Sequence, residues 1–247
     1  MAENAYLAGT AIRDKRVSDA PRHSLLVRVT HWLNAISFIA LTVSGIGIIL
    51  AHPRFYWGET GGLGAPSVLD LPLPFLLGGP SGWGRSLHFQ AAWLCVLTGL
   101  LYAISGLLSQ HFWKNLVPAK EQLSWNSLSG EIWNHLRFKK PPPEEAQSYN
   151  VLQRLSYLAV VFFFFPLMFW TGMAMSPSVT SVFPFFVTTL GGQETARTIH
   201  FLAANLLALF LLVHVFMVFL AGFIQRMRAM IMGRVSGGPL VGDEEKP

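Results

Sequence analysis

Four histidines fall inside long apolar stretches of this 247-residue chain: His31, His88, His200 and His214. Neutral imidazole is a hydrogen-bonding group and also a common metal ligand. A single histidine within a membrane reads equally well as polar glue between helices. The set has a spacing that glue does not need. His200 and His214 stand fourteen residues apart, a rise of about 21 Å at 1.5 Å per helical residue. Fourteen steps of about 100° return to within about 40° of the starting direction, so both rings share one helix face at two depths.

Three of the four are preceded by arginine one turn earlier: Arg28-x-x-His31, Arg85-x-x-His88 and Arg197-x-x-His200. Residues at i and i+3 share a helix face. Guanidinium is the side chain best matched to a carboxylate, so Arg28, Arg85 and Arg197 are candidates for the propionates of a haem. The plainer reading is that they mark helix starts and extend to the headgroups.

The elements that must carry these residues follow from composition. Hydrophobic residues make up 52% of the chain and charged residues 13%, against about a quarter charged in a soluble domain. A span needs ~20 mostly apolar residues, and four stretches qualify: 24–51, 86–108, 152–175 and 198–223. The shorter patches Leu71–Leu77 and Val182–Leu190 read as loop segments on the surface or against a partner. Pro166 falls inside the third span and predicts a kink. Leu128, Ile132 and Leu136, near Trp125 and Trp133, predict a short helix in the headgroup layer, ended by Pro141–Pro143. The polar first twenty-two residues, followed by an over-long apolar run, do not read as a cleavable leader. No internal repeat is obvious, and the chain (1–247) reads as a single membrane domain.

Charge sets the expected orientation. The net +5 is not spread as a nucleic-acid surface would be. Arg13, Lys15, Arg16, Arg22 and Arg28 precede or enter the first span. Lys114, Lys120, Arg137, Lys139, Lys140 and Arg154 belong to the second connection, and Arg226, Arg228, Arg234 and Lys246 follow the fourth span. The other connections hold only Arg54, Arg85 and Arg197. The positive-inside rule then predicts an all-α, up-down-up-down four-helix bundle with both termini cytoplasmic. In that arrangement His31 and His214 share the inner depth, and His88 and His200 the outer. A haem held by two imidazoles needs two facing rings at one depth, and the sequence offers that twice.

Absences narrow the chemistry. The four predicted spans contain no Asp or Glu, which a proton- or cation-coupled transporter would be expected to carry. Carboxylate-type iron or zinc sites are likewise unsupported. Cys95 is the sole cysteine, so covalent haem attachment and an iron–sulfur cluster held by this chain alone are excluded. Small residues on the spans (Ser44, Gly45, Gly99, Gly106, Ala203, Ala204) would let a flat macrocycle, or another helix, come close. His23, His52, His111 and His135 have no depth-matched partner and read as non-ligands.

The ordered set Arg28-Val-Thr-His31-Trp32-Leu33-Asn34-Ala35, Arg85-x-x-His88, Tyr149-Asn150-x-x-Gln153-Arg154, Thr171-Gly172 and His200-x13-His214 resembles the di-haem cytochrome b subunits of membrane-bound hydrogenases and formate dehydrogenases. The thiosulfate-reductase anchor type looks closest, through Tyr149–Tyr157, Met175-Ser176-Pro177 and Gly191–Phe201. The resemblance runs from about Arg22 to Phe223 and leaves the loops uncovered. It implies two haems b with His31, His88, His200 and His214 as axial ligands. It also implies a quinone site at the start of the third span, with Asn150 or Gln153 hydrogen-bonding a carbonyl. Leu152, where the formate-dehydrogenase subunits have glycine, would narrow or shift that pocket. The implied partner is a periplasmic redox subunit, a molybdopterin or iron–sulfur protein, and the long Gly/Pro-rich connection His52–Arg85 would serve as its docking surface. The rival is a stand-alone di-haem cytochrome that oxidises superoxide and reduces quinone without a partner. A third reading is a haem-free anchor in which the histidines only join helices.

Overall fold

The computed structural model describes residues 23–59, 61, 64–73, 82–125, 129–130, 133, 151–220 and 222–233. Four of its helices are long and apolar enough to span a membrane: α1 (Leu25–Ala51), α2 (Gly82–Leu108), α4 (Val151–Ala174) and α7 (Gln193–Leu220). Short elements join them. These are β1 (Arg54–Phe55) and β2 (Leu69–Asp70), then α3 (His111–Asn115), α5 (Pro177–Thr180) and α6 (Phe185–Thr188). A final helix, α8 (Phe223–Met232), follows α7.

The observed spans keep the expected order with shifted ends. Helix α2 starts four residues before Ser86, because Gly82 and Trp83 extend it past the apolar window. Helix α7 starts five residues before Thr198 through a polar turn, Gln193–Arg197, that hydropathy does not register. It stops at Leu220, and Phe223 belongs to α8 instead. Gly222 lies between them with φ 94°, a left-handed conformation that glycine adopts without steric cost. Pro166 is accommodated by a π-helical turn over Val160–Phe164. Proline donates no N–H and its ring clashes with the carbonyl four residues back, so the wider turn relieves both.

The closest backbone packing joins α1 to α2 and α4 to α7. Within the first pair, Thr98 Oγ1 donates to Asn34 Oδ1 at 2.8 Å. Phe165 of α4 fills the space a side chain at Gly99 of α2 would need, joining the pairs by one aromatic ring. Helix α7 is the least buried span, with 6% of its most apolar window enclosed. Its buried residues are Thr195, Ala196, Thr198 and Ala203, all near its start. The helix carrying two of the four histidines is thus also the one whose face is least filled by protein.

Helix ends fix which depths meet. The start of α1 lies against α8: Trp32 Nε1 donates to the Met230 carbonyl at 3.3 Å and Arg28 to the Ile231 carbonyl at 2.8 Å. At the other end, the start of α7 holds the chain leaving α1. Thr198 Oγ1 donates to the Tyr56 carbonyl at 2.7 Å, and the Gly58 N–H donates to Thr195 Oγ1 at 2.7 Å. Strands β1 and β2 pair antiparallel with Arg54 opposite Asp70 and Phe55 opposite Leu69. The patch 182–190 is not simply a surface loop. Phe186 is buried with Ala174 and Ala196, with Trp170 packed beside them. Only fragments of the expected headgroup-layer helix fall among the described residues, with Trp125 and Trp133 exposed; Leu128, Ile132, Leu136 and Pro141–Pro143 lie outside them.

Candidate functional site: two facing histidine pairs

The four span histidines meet as two pairs. The His31 and His214 rings stand with centroids 6.4 Å apart and planes at 53°. The His88 and His200 rings stand at 6.3 Å and 59°. These separations are too long for direct ring-to-ring bonding and suit a bridging atom. Two imidazole nitrogens each about 2 Å from one metal, with about 1.1 Å more to each ring centre, put the centroids about 6.2 Å apart. Among the described residues there is no group of three or more His, Cys, Asp and Glu side chains that could hold a metal ion. Two facing imidazoles per site, without further protein ligands among the described residues, fit a metal that brings its own macrocycle. The residues present therefore fit haem.

The His88/His200 pair sits at what we term the upper end, beside the loop pinned to α7. Each ring is tied to a fully buried hydroxyl on a neighbouring span. Ser44 Oγ lies 2.9 Å from His88 Nδ1, and Thr171 Oγ1 lies 2.8 Å from His200 Nδ1. Each hydroxyl is followed by a glycine beside the same ring. A Cβ on Gly45 would stand 3.7 Å from His88 Cε1, and one on Gly172 3.8 Å from His200 Cε1. The hydroxyl roles were not anticipated from the sequence: Ser44-Gly45 and Thr171-Gly172 are hydroxyl–glycine dipeptides, but Thr98-Gly99 and Ser105-Gly106 share that pattern without facing a histidine pair.

At the lower end the surroundings are aromatic. His31 meets Trp32 edge-on at 5.4 Å. His214 stacks on Phe210 at 5.9 Å and meets Tyr157 edge-on at 6.3 Å. Among the described residues His31 Nδ1 is buried with no hydrogen-bond partner.

The three arginines part company. Arg197 is committed to the protein: it donates to the carbonyls of His52 and Arg54, pairs with Glu194 at 3.4 Å and lies 4.8 Å over the Phe55 ring. Phe55 in turn is buried and stacks on Phe201 at 4.3 Å. Arg197 therefore clamps the upper loop, which the Arg-x-x-His spacing alone did not reveal. Arg85 is exposed at the start of α2. Arg28 donates one nitrogen to Ile231, while its Nε is buried without a partner. Of the two polar residues at the start of the third span, Asn150 lies outside the described residues. Gln153 is half-buried one turn before Tyr157, on the same helix face.

Fold and site together describe a multi-pass membrane protein whose buried chemistry rests on imidazole. Residues 22–233 match the prokaryotic cytochrome b561 family, and the chain belongs to that family: it is a b-type haem protein of the bacterial inner membrane. Its relatives include a putative protein-methionine-sulfoxide reductase subunit, YedZ1, from Azospira oryzae. That protein is 31% identical over 211 residues, which cover 85% of this chain and 96% of the relative. A probable Ni/Fe-hydrogenase B-type cytochrome subunit from Cupriavidus necator is 26% identical over 246 residues, 95% of this chain and 87% of the relative.

Proposed function

We propose that the chain is a di-haem cytochrome b that passes electrons between the quinone pool and a redox partner at the periplasmic face. The observation that carries this reading is the pair of histidine pairs, at 6.4 and 6.3 Å, one toward each end of the bundle. His31 with His214, and His88 with His200, would each hold one haem. The basic residues clustered around the start of α1, the second connection and the end of α7 make the lower end cytoplasmic and the upper end periplasmic. The up-down-up-down course of the spans follows from the same distribution.

Haem bound at the two sites supplies one-electron steps, which divide the two-electron oxidation or reduction of a quinone. The chain's own residues hold and orient. The aromatic rings at the lower site exclude water around His31 and His214. Arg28 keeps Nε free to donate to an anionic propionate, whereas Arg197 has spent its donors on carbonyls and Glu194. Gln153, one turn from Tyr157 and so toward His214, donates to a quinone carbonyl, with Asn150 as the neighbouring polar group. Both relatives named above are subunits of redox enzymes by name, which supports a partner subunit carrying a molybdopterin or iron–sulfur centre on the upper face.

Reconstituted protein supplied with a short-chain quinol tests this. The expected result is reduction of both haems by quinol, slowed in Gln153→Ala at unchanged haem content. Reduction by dithionite but not by quinol would contradict the quinone role. Reduction of the haems by superoxide, with no partner co-purifying, would favour the stand-alone enzyme instead.

A further inference from the structure

We propose that Ser44 and Thr171 are positioning residues that fix which nitrogen of His88 and of His200 is offered to iron, and that they set the upper haem apart from the lower one. The inference rests on the haem reading above. A hydroxyl has one proton. Ser44 Oγ lies 2.6 Å from the Ala40 carbonyl, four residues back in its own helix. Thr171 Oγ1 lies 2.8 Å from the Leu167 carbonyl in the same relation. With that proton given to the backbone, as Ser and Thr in helices commonly do, the oxygen can only accept from the ring. His88 Nδ1 and His200 Nδ1 therefore carry the hydrogen, and Nε2 alone presents a lone pair.

The site is built for this bond. Both hydroxyl residues are fully buried, at 0% exposure, so water does not compete. The adjoining glycines, Gly45 and Gly172, keep each ring's Cε1 edge clear of a side chain. The same dipeptide logic comes from two different spans onto two different histidines. A ring N–H that donates to oxygen makes the opposite nitrogen a better donor to metal, which favours the oxidised ion. At the lower site His31 Nδ1 is buried and has no acceptor among the described residues. The upper haem therefore has its potential lowered by these bonds.

The test uses Thr171→Val, which keeps the shape and removes the hydroxyl, with Thr171→Ser as rescue and Ser44→Ala as the counterpart on His88. In redox titrations of the purified holoprotein, Thr171→Val should raise the midpoint potential of one haem, leave the other in place, and alter the low-spin ferric resonance of the shifted haem alone. Thr171→Ser should restore both readouts, and Ser44→Ala should shift the same haem in the same direction. If Thr171→Val loses one haem while Thr171→Ser keeps it, the hydroxyl requirement stands. If both variants lose it, or both haems shift alike, or neither shifts, the inference is overturned. Wild-type protein that binds no haem would instead sink the reading on which it rests.

Discussion

The upper and lower histidine pairs have nearly the same ring separation, 6.3 and 6.4 Å, in opposite surroundings. The upper rings are held by hydroxyls, and the helix that carries His200 begins in a polar turn bound to a folded loop. The lower rings lie among aromatic side chains, one stacked and two edge-on, and the chain around them is closed by α8. On the proposed reading the spacing is set by the group each pair would hold, while the surroundings are free to differ. Each end is stabilised by its own local structure, so damage at one end should be felt mainly there.

The largest expected separation comes from Gly192→Ala. Gly192 has φ 127°, and a Cβ there would stand 2.2 Å from the Gly58 carbonyl oxygen. Strain of the backbone and displacement of that loop should cost about 3 kcal/mol or more. Thermal release of the two haems, followed optically, should show the His88/His200 haem leaving early and the other unmoved. Next is Arg197→Met, which removes the donors to His52 and Arg54 while keeping the stem. Hydrogen bonds from a charged group contribute about 1.5–3 kcal/mol, so the same haem should leave early by a smaller margin. Trp32→Phe reverses the sense of the comparison. It removes the bond to Met230 at 3.3 Å, worth about 1 kcal/mol, and should loosen only the lower haem in that assay. Smallest is Asp70→Ala. Its pairing with Arg54 at 3.1 Å is more than half exposed on both sides, and such pairs contribute about 0–1 kcal/mol. A large effect there would contradict the view that buried clamps, and not surface charge, hold the upper end.

Much of this could be read from the amino acids because the membrane makes simple demands. Length and hydropathy marked the four spans to within five residues at each end. The fourteen-residue spacing in α7, combined with charge, brought His31 to His214 and His88 to His200, as their contacts in the fold also do. What stayed hidden depended on non-local partners. Arg28, Arg85 and Arg197 share one motif, yet Arg197 is bound to carbonyls 143 and 145 residues away, a relation no local spacing encodes. Ser44 looked like a packing residue, because small and hydroxylated side chains serve close helix contact as well, and Thr171 entered only as part of a family motif. The extension of α7 to Gln193 was missed because its first turn is polar and is held by the loop 52–59, not by lipid.

The most direct measurement of the central claim is a reduced-minus-oxidised spectrum with haem quantitation, on the wild type and on the four single His→Ala variants. Two non-covalent haems per chain are expected, with His31→Ala and His214→Ala losing one and the same haem, and His88→Ala and His200→Ala losing the other. A single haem in the wild type, or losses that do not sort into these two pairs, would contradict the account.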